Sequence, residues 1–92
     1  MLLIVPARVY GRSVHALIDS GTARCFISTS CVAIIGLKGI PHDIFLKLGN
    51  GEKCLSRGYV PDVLVVTVGL IVKVGLTITN LLHDVDLVLG IN

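Results

Sequence analysis

Apolar residues in this chain fall in short runs set off by turn residues, the pattern of strands rather than of long helices. Residues 3–10 and 13–18 read as two strands joined at Gly11-Arg12, with a further apolar segment at 25–27. Ser28-Thr29-Ser30 then offers a helix cap ahead of 31–35, and Gly36 closes that brief helix. Phe45-Leu46-Lys47-Leu48 alternates, Asn50-Gly51 is a two-residue hairpin signal, and 53–59 supplies the returning strand, so a protruding glycine-rich hairpin is expected. Beyond Pro61, residues 63–68 and 71–78 flank Gly69 as a second hairpin, and 86–89 forms a last short strand ending at Gly90. Together these elements predict an all-β, barrel-like fold with one short helix. No linker or low-complexity stretch interrupts it, so residues 1–92 are expected to form a single domain.

Composition narrows the setting. A chain of 92 residues buries only about two thirds of its unfolded surface, so its stability is marginal. Apolar residues make up 53% and charged residues 15%, which excludes disorder and leaves more hydrophobic surface than one small core needs. Oligomerisation or a membrane could take up that surface. The most apolar stretch, 63–72, carries Thr67 and Gly69 and stops at Lys73, well short of the roughly 20 residues a spanning helix needs. No membrane partner is expected. The opening Met1-Leu2-Leu3-Ile4-Val5 has no basic lead and soon meets Pro6 and Arg8, so no targeting segment is expected either. The net charge of +2 comes from scattered Arg and Lys without a basic stripe, and nucleic acid is not an expected partner.

Cys25, Cys31 and Cys54 are an odd number at spacings that suit neither a paired zinc site nor a disulfide framework, which favours a reducing, intracellular location. His15, His42 and His83 share no metal-ligand spacing, so no metal or other cofactor is expected. A thiol enzyme would need a base and an oxyanion donor beside a cysteine, and the sequence places neither there.

Asp19 breaks the apolar pattern. It follows Ala16-Leu17-Ile18 directly and precedes Ser20-Gly21-Thr22, which places a carboxylate at the half-buried end of a strand. Burial disfavours the charged form, while hydroxyl and N–H donors from Ser20, Gly21 and Thr22 favour it, opposed influences that can tune an acid–base group. The plain alternative is an Asx turn capping a bend between strands. Three further motifs accompany Asp-Ser-Gly-Thr, each once and in this order: Phe26-Ile27-Ser28, Gly49-Asn50-Gly51-Glu52 and Leu87-Val88-Leu89-Gly90.

In that combination the chain resembles the retropepsin family, the proteases of retroviruses and gypsy-type retrotransposons. Their pattern is an Asp-Ser/Thr-Gly-Ala/Thr loop, a flap hairpin and a closing apolar-apolar-Gly. The phrase Leu48-Gly49-Asn50-Gly51-Glu52-Lys53 is similar to the gypsy-type flap, and the likeness covers nearly the whole chain. It implies a closed β-barrel of the acid protease type, and an aspartic endopeptidase that processes a retroelement polyprotein in the cytoplasm or a virus-like particle. It further implies that Asp19 is the catalytic carboxylate, that the Ser20 hydroxyl braces two active-site loops across a dimer, that Gly21 lets the backbone approach, and that Thr22 takes the usual Ala or Thr place. Gly49, Asn50, Gly51, Glu52 and Lys53 would form the flap over substrate, and Leu89 and Gly90 would pack beside the catalytic loop.

The chemistry of such a site needs two carboxylates, one ionised to activate water and one protonated to hydrogen-bond the scissile carbonyl. Asp43, Asp62, Asp84 and Asp86 lack a following Ser/Thr-Gly, so the second carboxylate is expected to be Asp19 of a two-fold-related copy. The expected partners are therefore a homodimer mate and an extended, apolar peptide or polyprotein substrate. Retropepsins continue past the closing glycine into a helix and a terminal strand, whereas this sequence stops at Ile91-Asn92. Either the N-terminal strand at 2–5 carries the interface alone, or the chain is a trimmed piece or a shortened relative that associates weakly. A catalytically inactive module that dimerises or captures a peptide by strand addition is the alternative function.

Overall fold

Tyr10 and Gly11 both take positive φ, 49° and 79°, and so form the centre of a tight hairpin turn. They join strand β1 (Leu2–Val9) to β2 (Arg12–Asp19), which pair antiparallel from Leu2 opposite Asp19 to Val9 opposite Arg12. The turn therefore lies one residue earlier than Gly11-Arg12. A two-residue hairpin turn of the I′ kind, which suits a right-twisted ribbon, takes two left-handed residues, and Tyr10 supplies the first although it carries a side chain.

The computed structural model describes residues 2–22, 24–41, 44–47, 53–56, 58–81 and 84–90. After β2 come β3 (Phe26–Ser28), helix α1 (Thr29–Ile35), β4 (Ile44–Lys47), β5 (Lys53–Ser56), β6 (Gly58–Thr67), β7 (Leu70–Thr79) and β8 (Leu87–Gly90). Six strands close into a barrel in the order β1-β2-β8-β3-β7-β6, while β4 and β5 form a separate antiparallel pair. This is the all-β barrel with one short helix that the sequence pattern predicts.

The helix begins and ends by local chemistry. The Ser28 hydroxyl accepts a hydrogen bond from the Cys31 N–H at 3.1 Å, and Gly36, at φ 82°, donates its N–H to the Val32 carbonyl at 2.9 Å. Inward-facing residues on alternate strand positions fill the barrel, with Val9, Ile27, Val63, Val65, Leu76 and Leu87 fully enclosed. Cys31 closes one end from the helix, with Val32 and Ile35 packed partly against the same core.

Pro61 does not end a strand. β6 runs through it by a bulge, with a register shift between Val60 and Val63 and Asp62 at φ 54°. Proline has no N–H for the ladder, and a bulge is where a strand tolerates that loss. The returning strand expected over 53–59 is accordingly two elements, β5 and the start of β6. β4 and β5 pair from Ile44 opposite Ser56 to Lys47 opposite Lys53. Gly49, Asn50, Gly51 and Glu52 lie outside the described residues.

Burial, and secondarily the negative charge of Asp86, pushes the Cys31 thiol up from 9.0 to about 11. The folded protein holds this proton more tightly than the unfolded chain does. The resulting stabilisation is fully present below pH 9.0 and is lost as pH rises towards about 11. In native protein at about pH 8, mass-spectrometric mapping of an alkylating reagent should find Cys31 unmodified until denaturant is added. Equal labelling of Cys31 in the folded and unfolded states would contradict this burial.

Candidate active site

Asp19 is the last residue of β2, and its position is set by β8. The two strands run parallel, with Ala16 opposite Leu87, Leu17 opposite Val88, Ile18 opposite Leu89 and Asp19 opposite Gly90. On its other side β8 pairs antiparallel with β3, Phe26 opposite Val88 and Ile27 opposite Leu87. The chain that leaves β2 at Asp19 therefore crosses the end of β8 before it re-enters the barrel as β3.

That crossing is tight. A Cβ built on Gly90 would lie 2.6 Å from the Thr22 carbonyl oxygen and closer still to that of Arg24. Both obstacles are backbone, so the loop can rest on β8 only where β8 has no side chain. Leu89, one residue earlier, turns inward and is buried in the core.

Within the loop, the Asp19 Oδ1 accepts a hydrogen bond from the Gly21 N–H at 2.8 Å. A Cβ on Gly21 would stand 3.1 Å from that same oxygen, so glycine lets the carboxylate approach the backbone closely. The Thr22 hydroxyl accepts from the Arg24 N–H at 3.2 Å, a second local turn that completes the crossing. Asp19 itself is half-buried and Ser20 is exposed. The Asx turn is thus present, and it holds a carboxylate oriented by a backbone donor at the barrel's end, where an acid–base group could reach a substrate.

Asp19, Ser20, Gly21, Thr22, Leu89 and Gly90 are brought together by this arrangement. Lys53 opens β5, and the other flap positions lie outside the described residues. Among the described residues no group of three or more His, Cys, Asp or Glu side chains could hold a metal ion. An open depression of about 360 Å³, lined by Pro6, Ala7, Arg8, Ser13, Val66, Thr67 and Val68, draws no residue from the Asp19 loop. A second aspartate, at the far end of the β2–β8 ladder from Asp19, lacks the motif that singles out Asp19. Asp86, just ahead of β8, bonds to both β2 and β3, and its only sequence signal is a carboxylate opening the apolar run Leu87-Val88-Leu89.

Gly90→Ala should force the Thr22 and Arg24 backbone off β8 and cost about 3 kcal/mol, as overpacking against an unyielding wall does. Thermal denaturation is the check. A variant as stable as the parent would show that the loop does not rest on Gly90.

A family model described as aspartyl protease matches residues 5–92. Among curated proteins, none matches the chain. Among the described residues no helix is long and apolar enough to cross a membrane. The family match runs through the Asp19 loop, the closed barrel and the Gly90 strand alike, and with them the chain belongs to the aspartyl proteases, retropepsin-like in fold, whose chemistry is hydrolysis by aspartate.

Proposed function

We propose that the chain is the aspartic endopeptidase of a retroelement polyprotein and works as a homodimer in which the two Asp19 carboxylates face each other. The observation that carries this reading is the single Asp-Ser-Gly loop, with a half-buried Asp19 held by the Gly21 N–H at the end of the barrel. One such carboxylate can activate water but cannot also present a proton to the scissile carbonyl, and a symmetry mate supplies the second. Two like charges in close contact do not both ionise, so the pair shares one proton, as the paired carboxylates of aspartic proteases do in general.

The edge beside Asp19 supports association. β1 pairs with β2 along its whole length but with β6 only from Ala7 to Val9, so among the described residues 2–6 face a partner strand on one side alone. Leu3 and Ile4 are each 51% exposed there, and Leu2 lies opposite Asp19. A second copy docked on this edge would cover apolar surface and bring its own Asp19 loop close. In this reading Ser20 braces the paired loops, Thr22 shapes them, and Gly49, Asn50, Gly51, Glu52 and Lys53 close over an extended, apolar peptide. The free thiols Cys25 and Cys31 suit a reducing cytoplasm or a virus-like particle. Neither nucleic acid nor a membrane has a part in it.

Asp19→Asn should abolish cleavage of a polyprotein-derived or denatured substrate, leaving the barrel and the sedimentation behaviour of the parent unchanged. If the parent itself fails to cleave while sedimenting as a dimer, the binding-module alternative is the correct one.

A further inference from the structure

The parallel pairing of β2 with β8 decides what lies opposite Asp19, yet the two strands are distant in sequence and no turn between them sets the register. A slip of one residue would turn Leu87 and Leu89 away from the core and place a side chain under the Asp19 loop in place of Gly90. Something at the start of this four-rung ladder must hold the register.

Asp86 stands at that start. Its N–H donates to the His15 carbonyl at 2.9 Å, and its carboxylate Oδ2 accepts from the His15 N–H at 2.8 Å. Residues 15 and 86 thus exchange two hydrogen bonds, one of them through a side chain. His15 lies opposite Pro6 on β1, but its N–H and its carbonyl both point the other way, towards β8, and Asp86 serves both. The Asp86 carbonyl accepts from the Ser28 N–H at 2.9 Å, which ties the same residue to the end of β3 and the cap of the helix. The His15 imidazole adds only a contact of 3.7 Å to Oδ2 and is largely exposed, so the backbone bonds carry the link.

We infer that Asp86 is a positioning residue for Asp19: its carboxylate pins the β2 backbone at His15 so that β8 enters in the one register that brings Gly90 beneath the catalytic loop. This rests on the aspartic protease reading for its kinetic consequence, but not for its structural one. The role requires an oxygen acceptor at Asp86 and no charge, which separates it from a purely electrostatic effect.

The test compares Asp86→Ala and Asp86→Asn with the parent in the full chain. Asp86→Ala should lower kcat roughly tenfold to a hundredfold with little change in KM, the signature of a displaced reacting group. Asp86→Asn, which keeps an acceptor oxygen, should restore most of kcat. Amide hydrogen exchange at His15 and at residues 16–19 should quicken in the Ala variant and stay as in the parent in the Asn variant. Parental kcat and exchange in Asp86→Ala would overturn the inference, and so would an Asn variant as impaired as the Ala one. If Asp86→Ala does not fold, the Asn variant decides: parental protection at His15 supports the role, and lost protection refutes it. Should the parent prove unable to cleave, the protease reading fails, while the exchange comparison still tests Asp86.

Discussion

The structure depends on the parallel contact between β2 and β8, and within it on the facing of Asp19 and Gly90. Gly90 has no Cβ, so the chain leaving Asp19 can lie directly on β8, and the Thr22 and Arg24 carbonyls occupy the space a side chain would need. That crossing places β3 on the far side of β8, which in turn lets β7 and β6 complete the barrel. A carboxylate at the end of a strand is ordinarily free to swing. Here the backbone fixes its origin, and the Gly21 N–H fixes one of its oxygens.

On the proposed reading, one chain holds only half of the site. Asp19 ends β2 at the rim of the barrel, beside the part of β1 that has, among the described residues, a neighbour on one side only. Exposed Leu3 and Ile4 lie on that edge, in a chain small enough for extra apolar burial to matter. An edge strand of this kind is a liability unless it is covered, and a two-fold-related copy would cover it with the same surface. Stability and catalysis would then draw on one interface.

Much of this is legible in the sequence where the cause is local. Ser28 and Gly36 bound the helix through their own side chain and backbone freedom, and alternation along β2 and β6 reports which face meets the core. Asp19 stands out because it ends an apolar run, and the motifs downstream of it give Asp-Ser-Gly-Thr its meaning. Local rules mislead in two places. Pro61 reads as a break but is absorbed in a bulge, and Tyr10 takes a left-handed conformation that its side chain disfavours, which moves the first turn by one residue. Asp86 has no Ser/Thr-Gly after it, so no motif singles it out. Its importance comes from bonds to His15 and Ser28, distant in sequence, which no local pattern records.

The central claim is that each chain supplies half of a catalytic pair, and mixing tests it most directly. Parent chains and Asp19→Asn chains, exchanged at fixed total concentration, should give activity that falls as the square of the parent fraction, to about a quarter at equal mixing, because only dimers with two Asp19 carboxylates cleave. Activity that falls in simple proportion to the parent fraction would mean that one Asp19 suffices, and would contradict the shared site.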